Sequence, residues 1–289
     1  MKKTASRTPA ALDEETLRLV KQKELTLLSS FIVCCERMNL TYYLLGGSML
    51  GAVRHQGFIP WDDDIDVGMP RPDYEAFLAN AQQHLPSCCF VQCRKTDPEL
   101  PYNFAKLRDS STTFIEKSVK NFRINHGVYI DIFPLDFYPD SLAAQKKFDR
   151  KNRLLTLRIR EAFTIPAEDK HSPVIEAAAS TVSKLLSLRY PSLQSALDAR
   201  EALYRSVPKS TLVANYCGAW GKKETVPAGW YGKGAEAVFE GISVRIPAEY
   251  DKWLTQVYGD YMQLPPEEKR IPHHHVETVD TEKPYTCYF

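Results

Sequence analysis

The spacing of apolar residues predicts that helices and strands alternate along the first half of this chain. Apolar positions recur every three or four residues from Asp13, a suitable N-cap, to about Arg37, which predicts a long helix whose apolar stripe is interrupted by Glu24. A second helix of about ten residues is predicted after Asp73. Runs of β-branched and aromatic residues predict strands at 42–45, around 64–67, at 90–94, at 102–108 and at 128–134. This order is typical of an α/β (α+β) fold.

The second half of the chain begins with a mostly helical stretch, residues 141–206. Its periodicity predicts three helices separated by prolines, at 141–160, 174–188 and 193–206. A further helix is predicted at Tyr250–Tyr258. Because no linker divides the chain, we expect a disordered N-terminus over residues 1–12 and one domain over residues 13–289.

Two glycines mark a sharp turn where the first predicted strand ends. Gly46 and Gly47 carry no Cβ atoms, so a ligand can approach the backbone there. Ser48 suits the N-cap of a short helix that starts at Met49 and is closed by Gly57. Free N–H groups at the start of a helix bind anions, which makes Gly46, Gly47 and Ser48 candidate phosphate ligands.

Four aspartates follow this helix and suggest a cation site. Asp64 and Asp66 are separated by one residue, so on a strand their side chains point to the same face. Asp62 and Asp63 add two charges, and unit charges about 4 Å apart repel by about 4 kcal/mol at an effective dielectric of about 20. A bound cation removes this repulsion, and Mg²⁺ is readily held by one or two carboxylates together with substrate phosphates.

The acidic run fits a solvated turn or an EF-hand less well than a cation site of this kind. A solvated acidic turn is the commoner use of such charges, but the glycine turn upstream and the apolar alternation weigh against it. An EF-hand loop would use Asp62, Asp64, Asp66 and a later acid as its ligands. The EF-hand fails, because Val67 stands where the loop requires glycine and a proline falls inside the loop.

A later strand and its neighbour supply three further candidates. Asp131 stands among apolar residues, where an unpaired carboxylate is costly, so it is a candidate third metal ligand. The alternative is a carboxylate paired with a structural Arg or Lys. Lys106 and Arg108 share one face of the preceding strand and would hold phosphate oxygens, although a solvated strand face accounts for them equally well.

Weaker candidates lie in the C-terminal third of the chain. Trp220 and Trp230 offer aromatic faces for a cation, but such rings more often belong to the core. His273, His274 and His275 could bind a metal or a phosphate. Adjacent residues of an extended segment point in opposite directions, so at most two of them serve one site, and a solvated tail is an equal alternative.

The composition excludes several classes of function. The 289 residues include 37 basic and 36 acidic side chains, a formal net charge of +1, so no nucleic-acid partner is implied and phosphate contacts must be local. No run approaches the roughly 18 apolar residues of a membrane span, and no apolar segment follows the charged N-terminus as in a signal peptide. The seven cysteines fit reduced thiols. We expect a cytoplasmic protein, and peripheral contact with the inner face of the membrane stays open.

Several of these segments together resemble the signature of the LicD family of phosphotransferases, which is related to fukutin and fukutin-related protein. The most specific block joins the glycine turn, the helix and the acidic run, with GGS at 46–48, LGAVRH at 50–55 and GFIPWDDDID at 57–66. The downstream pieces that agree are YIDIFPLD at 129–136, FEG at 239–241 and YGDY at 258–261.

This resemblance implies a nucleotidyltransferase-like fold with a mixed sheet, flanking helices and the helical middle segment. It implies that Asp64, Asp66 and Asp131 bind Mg²⁺ or Mn²⁺, with Asp131 also acting as the base. The glycine turn and Arg54 would contact the phosphates of the donor, and Trp61 within the signature is a weaker site candidate.

The resemblance also implies a reaction. A phospho-substituent, with phosphocholine from CDP-choline as the first choice, would pass to a hydroxyl of a cell-surface glycan, teichoic acid or lipopolysaccharide precursor, and CMP would be released. The acceptor could be lipid-linked. Three alternatives remain open: transfer of glycerol- or ribitol-phosphate from a CDP-alditol, nucleotidyl transfer that releases pyrophosphate, and a nucleotide-binding scaffold without catalysis.

Overall fold

The computed structural model describes residues 12–163, 173–271 and 274–288. The expected disordered segment, residues 1–12, lies outside this range except for Leu12, and so does His273. The helices are α1 (Glu14–Met38), α2 (Gly46–His55), α3 (Arg71–Asn80), α4 (Leu142–Arg160), α5 (Pro173–Ser187), α6 (Leu193–Arg205) and α7 (Tyr250–Tyr258). The strands are β1 (Tyr43–Leu44), β2 (Asp66–Pro70), β3 (Cys89–Gln92), β4 (Ala105–Asp109), β5 (Thr113–Glu116), β6 (Val128–Tyr138), β7 (Leu212–Ala214), β8 (Thr225–Pro227), β9 (Ala235–Phe239), β10 (Ile242–Ile246) and β11 (Val276–Asp280).

A seven-stranded mixed sheet forms the centre of the fold. Its main path runs in the order β1, β2, β6, β4, β3, and β7 and β8 extend it from the end of β6. The β2–β6 pair is parallel, whereas the other neighbours in this sheet are antiparallel. Two further antiparallel pairs, β9–β10 and β5–β11, lie outside it. The predicted α/β class with a mixed sheet is confirmed.

The first helix brings one acid to the core side of the molecule. The carboxylate of Asp13 caps α1 by accepting a hydrogen bond of 2.9 Å from the backbone N–H of Thr16, as predicted. Leu28 and Phe31 are fully buried on the face of α1 that packs against β4 and β6. Glu24 belongs to the same buried face and is only 3% exposed.

The glycine turn differs in detail from the prediction. The helix begins at Gly46, whose φ of +51° lies in the left-handed region, and not at residue 49. Ser48 is therefore inside α2 and is not its N-cap; its Oγ accepts a hydrogen bond of 2.8 Å from the backbone N–H of Asp66. Gln56, and not Gly57, takes the left-handed conformation that ends the helix. Ser48 does not act as the cap because a contact with β2, 18 residues further along the chain, takes up its hydroxyl.

The acidic run lies mostly before β2. This strand begins at Asp66, so Asp64 lies in the preceding loop and not on a strand beside it. Ile65 and Val67 are nevertheless fully buried, as the alternation predicted. The aspartates of residues 62–64 are thus positioned by a loop whose apolar neighbours anchor it to the core.

The helical middle segment is confirmed as α4, α5 and α6. Ser141 and Ser192 cap α4 and α6. α4 packs against both other helices. A second apolar cluster forms around Tyr138, Phe148, Leu155, Leu203 and Tyr204. Among the residues described, no helix combines the length and hydrophobicity that a membrane-spanning segment needs.

One arginine ties this segment to the sheet. α3 begins at Arg71, so Asp73 lies in its first turn and is not its cap. The Arg71 guanidinium donates to both carboxylate oxygens of Asp136 on β6, at 2.7 and 2.5 Å, and to Glu201 on α6 at 2.7 Å. The side chain of Asp136 is only 4% exposed, so its charge depends on this partner.

Replacing Arg71 by Gln should therefore destabilise the protein strongly. Removing one partner of a buried ion pair leaves an uncompensated charge and costs about 3 to 5 kcal/mol in the free energy of unfolding. Urea unfolding measures the loss. Arg205→Gln is the matched control, since Arg205 pairs with Glu75 between the same two helices but on the surface, where the cost is about 1 kcal/mol or less. Equal losses in the two variants would contradict the role given to Arg71.

Candidate functional site

Three consecutive aspartates bring their carboxylates together in the loop before β2. One oxygen each from Asp62, Asp63 and Asp64 lies within 4.8 Å of the other two. Asp62 is 5% exposed and Asp63 only 2% exposed. Charges this close and this far from water repel strongly unless protons or a cation are bound.

Two more aspartates adjoin this cluster through the sheet. Asp66 on β2 and Asp131 on β6 are register partners in the parallel pair, and neighbouring strands lie about 4.8 Å apart. Burial raises the pKa of Asp66 well above its usual range, and the charges of Asp64, Asp131 and Asp62 raise it further. We call Asp62, Asp63, Asp64, Asp66 and Asp131 the acidic site. The structure thus brings together the three predicted metal ligands.

The glycine turn lies directly against the acidic site. A Cβ atom built on Gly47 would stand 2.3 Å from Oδ2 of Asp62, and one built on Gly46 would stand 3.1 Å from Oδ2 of Asp66. A side chain at Gly47 would displace the Asp62 carboxylate, and the positive φ of Gly46 favours glycine there as well. The start of α2, with its free N–H groups, therefore approaches the acids, and a phosphate contact there stays a prediction.

Asp131 is paired with a lysine, which was the alternative to a metal ligand on sequence grounds. Nζ of Lys106 lies 2.7 Å from Oδ1 of Asp131 and 3.9 Å from Oε2 of Glu116. The same ammonium stands over the ring of Tyr129, 3.4 Å from its centroid. Burial raises the pKa of Asp131, while Lys106 opposes that shift. Lys106 is only 2% exposed, so its charge is already engaged inside the protein.

Arg108 has no comparable place in the acidic site. It is fully buried, and its guanidinium donates to Oε1 of Gln92 at 2.6 Å and to the carbonyl of Gly127 at 2.7 Å. Its charge also stacks on Tyr129, 4.6 Å from the ring centroid. The structure therefore gives Arg108 a structural role in place of the expected phosphate contact, because β4 is covered on the face that a solvated strand would expose.

Sequence reasoning missed Glu24 beside the acidic site, whereas His274, the other neighbour, was one of its weaker candidates. Burial raises the pKa of Glu24 well above its usual range, and the charges of Asp64 and Asp63 add to that shift. The only signal was an acid inside the apolar stripe of α1. His274 lies with its Nδ1 3.1 Å from Oδ1 of Asp63. Burial alone would lower the pKa of His274, but the hydrogen bond to Asp63 and the nearby acids outweigh it and raise the pKa well above 6.5.

One exposed aromatic ring stands near the acidic site. Trp220 is 45% exposed and packs edge-to-face on Tyr258, with ring centroids 5.0 Å apart. The hydroxyl of Tyr258 lies 4.0 Å from the Cβ position of Gly46, which is also close to Asp66. Glu224, whose pKa burial raises to about 7, accepts a hydrogen bond of 2.9 Å from the backbone N–H of Trp220 and so holds this loop.

The remaining candidates have contacts elsewhere. Trp61 packs against the core under the guanidinium of Arg270, 5.6 Å from its ring centroid, and Trp230 is half-buried against the core. Arg54 donates a hydrogen bond of 2.6 Å to the carbonyl of Tyr261 and so binds the chain beyond α7. The backbone carbonyl of His275 accepts a bond from residue 117, next to β5.

The chemistry of the acidic site fits a hard divalent cation. Carboxylate oxygens are the ligands that Mg²⁺ and Mn²⁺ prefer, and three of them already converge within 4.8 Å. Repulsion between these carboxylates favours the binding of a cation in place of the protons that would otherwise neutralise them. Asp64, Asp66 and Asp131 stay the predicted ligands, whereas the oxygens that converge in the structure belong to Asp62, Asp63 and Asp64.

Comparisons with known proteins show which proteins this chain resembles. Residues 39–172 match the family model described as LicD/FKTN/FKRP, nucleotidyltransferase domain. The lipopolysaccharide cholinephosphotransferase LicD of Haemophilus influenzae is 30% identical over 267 residues, which cover 90% of this chain and 96% of that protein. An uncharacterized protein of Rickettsia prowazekii is 38% identical over 103 residues, 35% of each chain. The human ribitol 5-phosphate transferase FKRP is 53% identical over 34 residues, 12% of this chain and 7% of that protein.

The acidic site predicts how stability depends on pH without metal. Burial raises the pKa of Asp62 to about 8, with Asp64 and Asp63 adding to the shift, whereas an aspartate in an unfolded chain has a pKa of about 3.9. Between these values the folded state binds more protons, so its stability should fall as pH rises, by up to about 1.4 kcal/mol per pH unit for each proton. The raised pKa of His274 acts in the same direction above about pH 6.5.

Urea unfolding in chelator from about pH 5 to about pH 9 measures this decline. Added Mg²⁺ or Mn²⁺ should reduce it, since the cation replaces the protons. The Asp62→Asn variant should show a shallower decline in chelator. Stability that rises with pH in the metal-free protein would contradict the assignment of raised pKa values to the acidic site.

Proposed function

This chain belongs to the LicD family of phosphotransferases, and from that premise we propose that it transfers phosphocholine from CDP-choline to a hydroxyl of a cell-surface glycan precursor, with release of CMP. The alignment with a cholinephosphotransferase over 96% of that protein's length supports the choice of reaction. The acceptor class follows from the same relative, whose name specifies lipopolysaccharide.

The observation that carries the proposal is the acidic site packed against the glycine turn. A diphosphate donor is itself an anion, so it approaches five clustered aspartates, three of them buried, only together with cations. Mg²⁺ or Mn²⁺ held by Asp64, Asp66 and Asp131 would neutralise the diphosphate and orient it for in-line displacement. Asp66 and Asp131 are register partners on β2 and β6, so the sheet already places both at this site.

The protein's own residues then have defined tasks. Gly46 and Gly47 admit phosphate oxygens close to the start of α2. Asp131 accepts the proton of the acceptor hydroxyl as the new P–O bond forms, and CMP leaves with the electrons of the old one. Its pKa, raised by burial, is shifted in the direction that suits a general base. Lys106 holds the carboxylate in place from the neighbouring strand.

Trp220 is the residue that favours choline among the possible head groups. A quaternary ammonium is attracted to the face of an aromatic ring, and Trp is the strongest of the aromatic residues in this respect. The ring is 45% exposed and packs edge-to-face on Tyr258, whose hydroxyl lies near the glycine turn. The ammonium of Lys223 already lies over the ring, 5.5 Å from its centroid, so choline would use the face that stays open. Neither glycerol nor ribitol carries a charge that would use such a face.

The first test is the identity of the donor and of the product. Purified protein with Mg²⁺ and a lipopolysaccharide or teichoic acid extract should release CMP from CDP-choline faster than from CDP-glycerol or CDP-ribitol. Chelator should abolish the reaction, and so should Asp64→Asn, which keeps the size of the side chain but removes its charge. Release of pyrophosphate would indicate nucleotidyl transfer instead, and donor binding without any turnover would indicate a scaffold.

A Trp220→Ala variant tests the head group within the same assay. Its rate with CDP-choline should fall by about 5-fold or more, as the loss of about 1 kcal/mol of cation–π attraction predicts, whereas rates with the CDP-alditols should hold. Trp230→Phe, a change in the core, is the control. An equal loss with every donor would show that Trp220 supports the fold of its loop and does not select choline.

Asp131→Asn tests the proposed base. Asparagine keeps the shape and one ligating oxygen but cannot accept a proton, and positioned proton transfer contributes typically about 10²- to 10⁴-fold in rate. The variant should bind CDP-choline with Mg²⁺ yet transfer very slowly in single-turnover experiments. If the rate recovers fully at saturating Mg²⁺, Asp131 is a ligand only and another group is the base.

A further inference from the structure

Helix α4 presents a high density of positive charge to the solvent. Five of its basic side chains are exposed, and we call them the basic face of α4: Lys146, Lys147, Arg150, Lys151 and Arg153. At 3.6 residues per turn they occupy about half of the circumference of the helix. Within the part of the chain that the structure describes, α4 forms ion pairs through Arg158 and Asp149, so none of the five is paired there.

The opposite side of α4 is already occupied. Phe148, Leu155 and Ile159 are buried, the first two in the cluster with Leu203 of α6 and the third against Leu197 of the same helix. This packing fixes the orientation of α4 and directs the basic face outward. A partner must therefore meet α4 on its charged side, and the helix cannot insert its apolar side into another surface.

Exposed leucines accompany these charges. Leu142 is 75% exposed and Leu154 is 36% exposed, and the helical repeat places both within the same half of α4 as the basic face. In the same helical segment, Leu185 and Leu188 near the end of α5 are 65% and 85% exposed. A partner that satisfies both features is anionic at its surface and apolar just beneath it.

We propose that the basic face of α4, with its exposed leucines, docks the protein on the surface of an anionic phospholipid membrane. Lys and Arg side chains are attracted to anionic headgroups, and leucines enter the boundary between headgroups and acyl chains. The net charge of the whole chain is only +1, so the attraction arises from this local surface. A nucleic acid offers the negative charge but no apolar layer for the leucines.

Vesicle flotation with the full-length protein tests the proposal. The protein should float with vesicles of phosphatidylcholine and phosphatidylglycerol, but not with phosphatidylcholine alone, and the binding should weaken with salt. The variant K146E/R150E/K151E should lose at least ~100-fold in binding, because each cation near an anionic surface contributes about a five-fold gain. The control K95E/K233E/K269E changes the net charge equally at other exposed lysines and should bind as the unaltered protein does.

A second variant tests the leucines separately. L142S/L154S keeps every charge of the basic face, so it should still bind at low salt but release from the vesicles at a lower salt concentration than the unaltered protein. Circular dichroism and urea unfolding of each variant verify that the fold is kept. None of these assays contains a CDP donor, so their outcome is independent of the proposed reaction.

Two results would overturn the proposal. The first is absence of flotation with anionic vesicles, or an equal loss in the α4 variant and in the control. The second is that duplex DNA displaces the protein from the vesicles and that the charge-reversal variant K146E/R150E/K151E loses more affinity for DNA than for the vesicles. That result would assign the basic face to a nucleic acid.

Discussion

The clustering of five aspartates, three of them buried, is the constraint on which the rest of this structure depends. Burial raises the pKa values of Asp62 and Asp66, and repulsion from the neighbouring carboxylates, several kcal/mol per pair in a medium of low polarity, raises them further. Burial of apolar residues such as Ile65 and Val67 holds the acidic loop and β2 in place and offsets this repulsion. We propose that a site built this way takes up cations and, through them, phosphates.

Several contacts around the acidic site serve to keep it in one arrangement. Lys106 faces Asp131 from the neighbouring strand, and His274 reaches Asp63 from the C-terminal part of the chain. Arg54 holds the segment beyond α7, whose Tyr258 reaches the glycine turn. Residues more than 200 positions apart thus meet at one place, so the site is a property of the whole domain and not of the signature segment alone.

The helical middle segment is a distinct layer joined to this site at few points. Arg71 joins α6 to β6 through its hydrogen bonds to Glu201 and Asp136. The apolar cluster around Phe148 and Tyr204 packs between these two elements. Among the residues that the structure describes, the outer surface of the helical middle segment takes no part in the contacts that keep the acidic site in one arrangement. This division fits the two proposals made above. The sheet would bind the donor, and the helical layer would dock on the membrane.

The sequence by itself determined the helices, several strands and the acidic run, because their signals are local, whereas the mixed sheet was expected only from the family resemblance. Apolar periodicity, caps such as Asp13 and the alternation around Asp66 depend on residues a few positions apart, and a short chain segment carries that information. The proximity of Asp66 and Asp131 could be anticipated only through the family resemblance.

Only the tertiary structure decided which charged side chains share the site. Lys106 and Arg108 have the same period-two signal, yet one pairs with Asp131 and the other is sealed beneath Tyr129. Glu24 looks like a flaw in an apolar stripe, but packing of α1 places it beside the acids. These outcomes depend on strand register and on which face another element covers, and both are set by contacts between residues far apart in the chain.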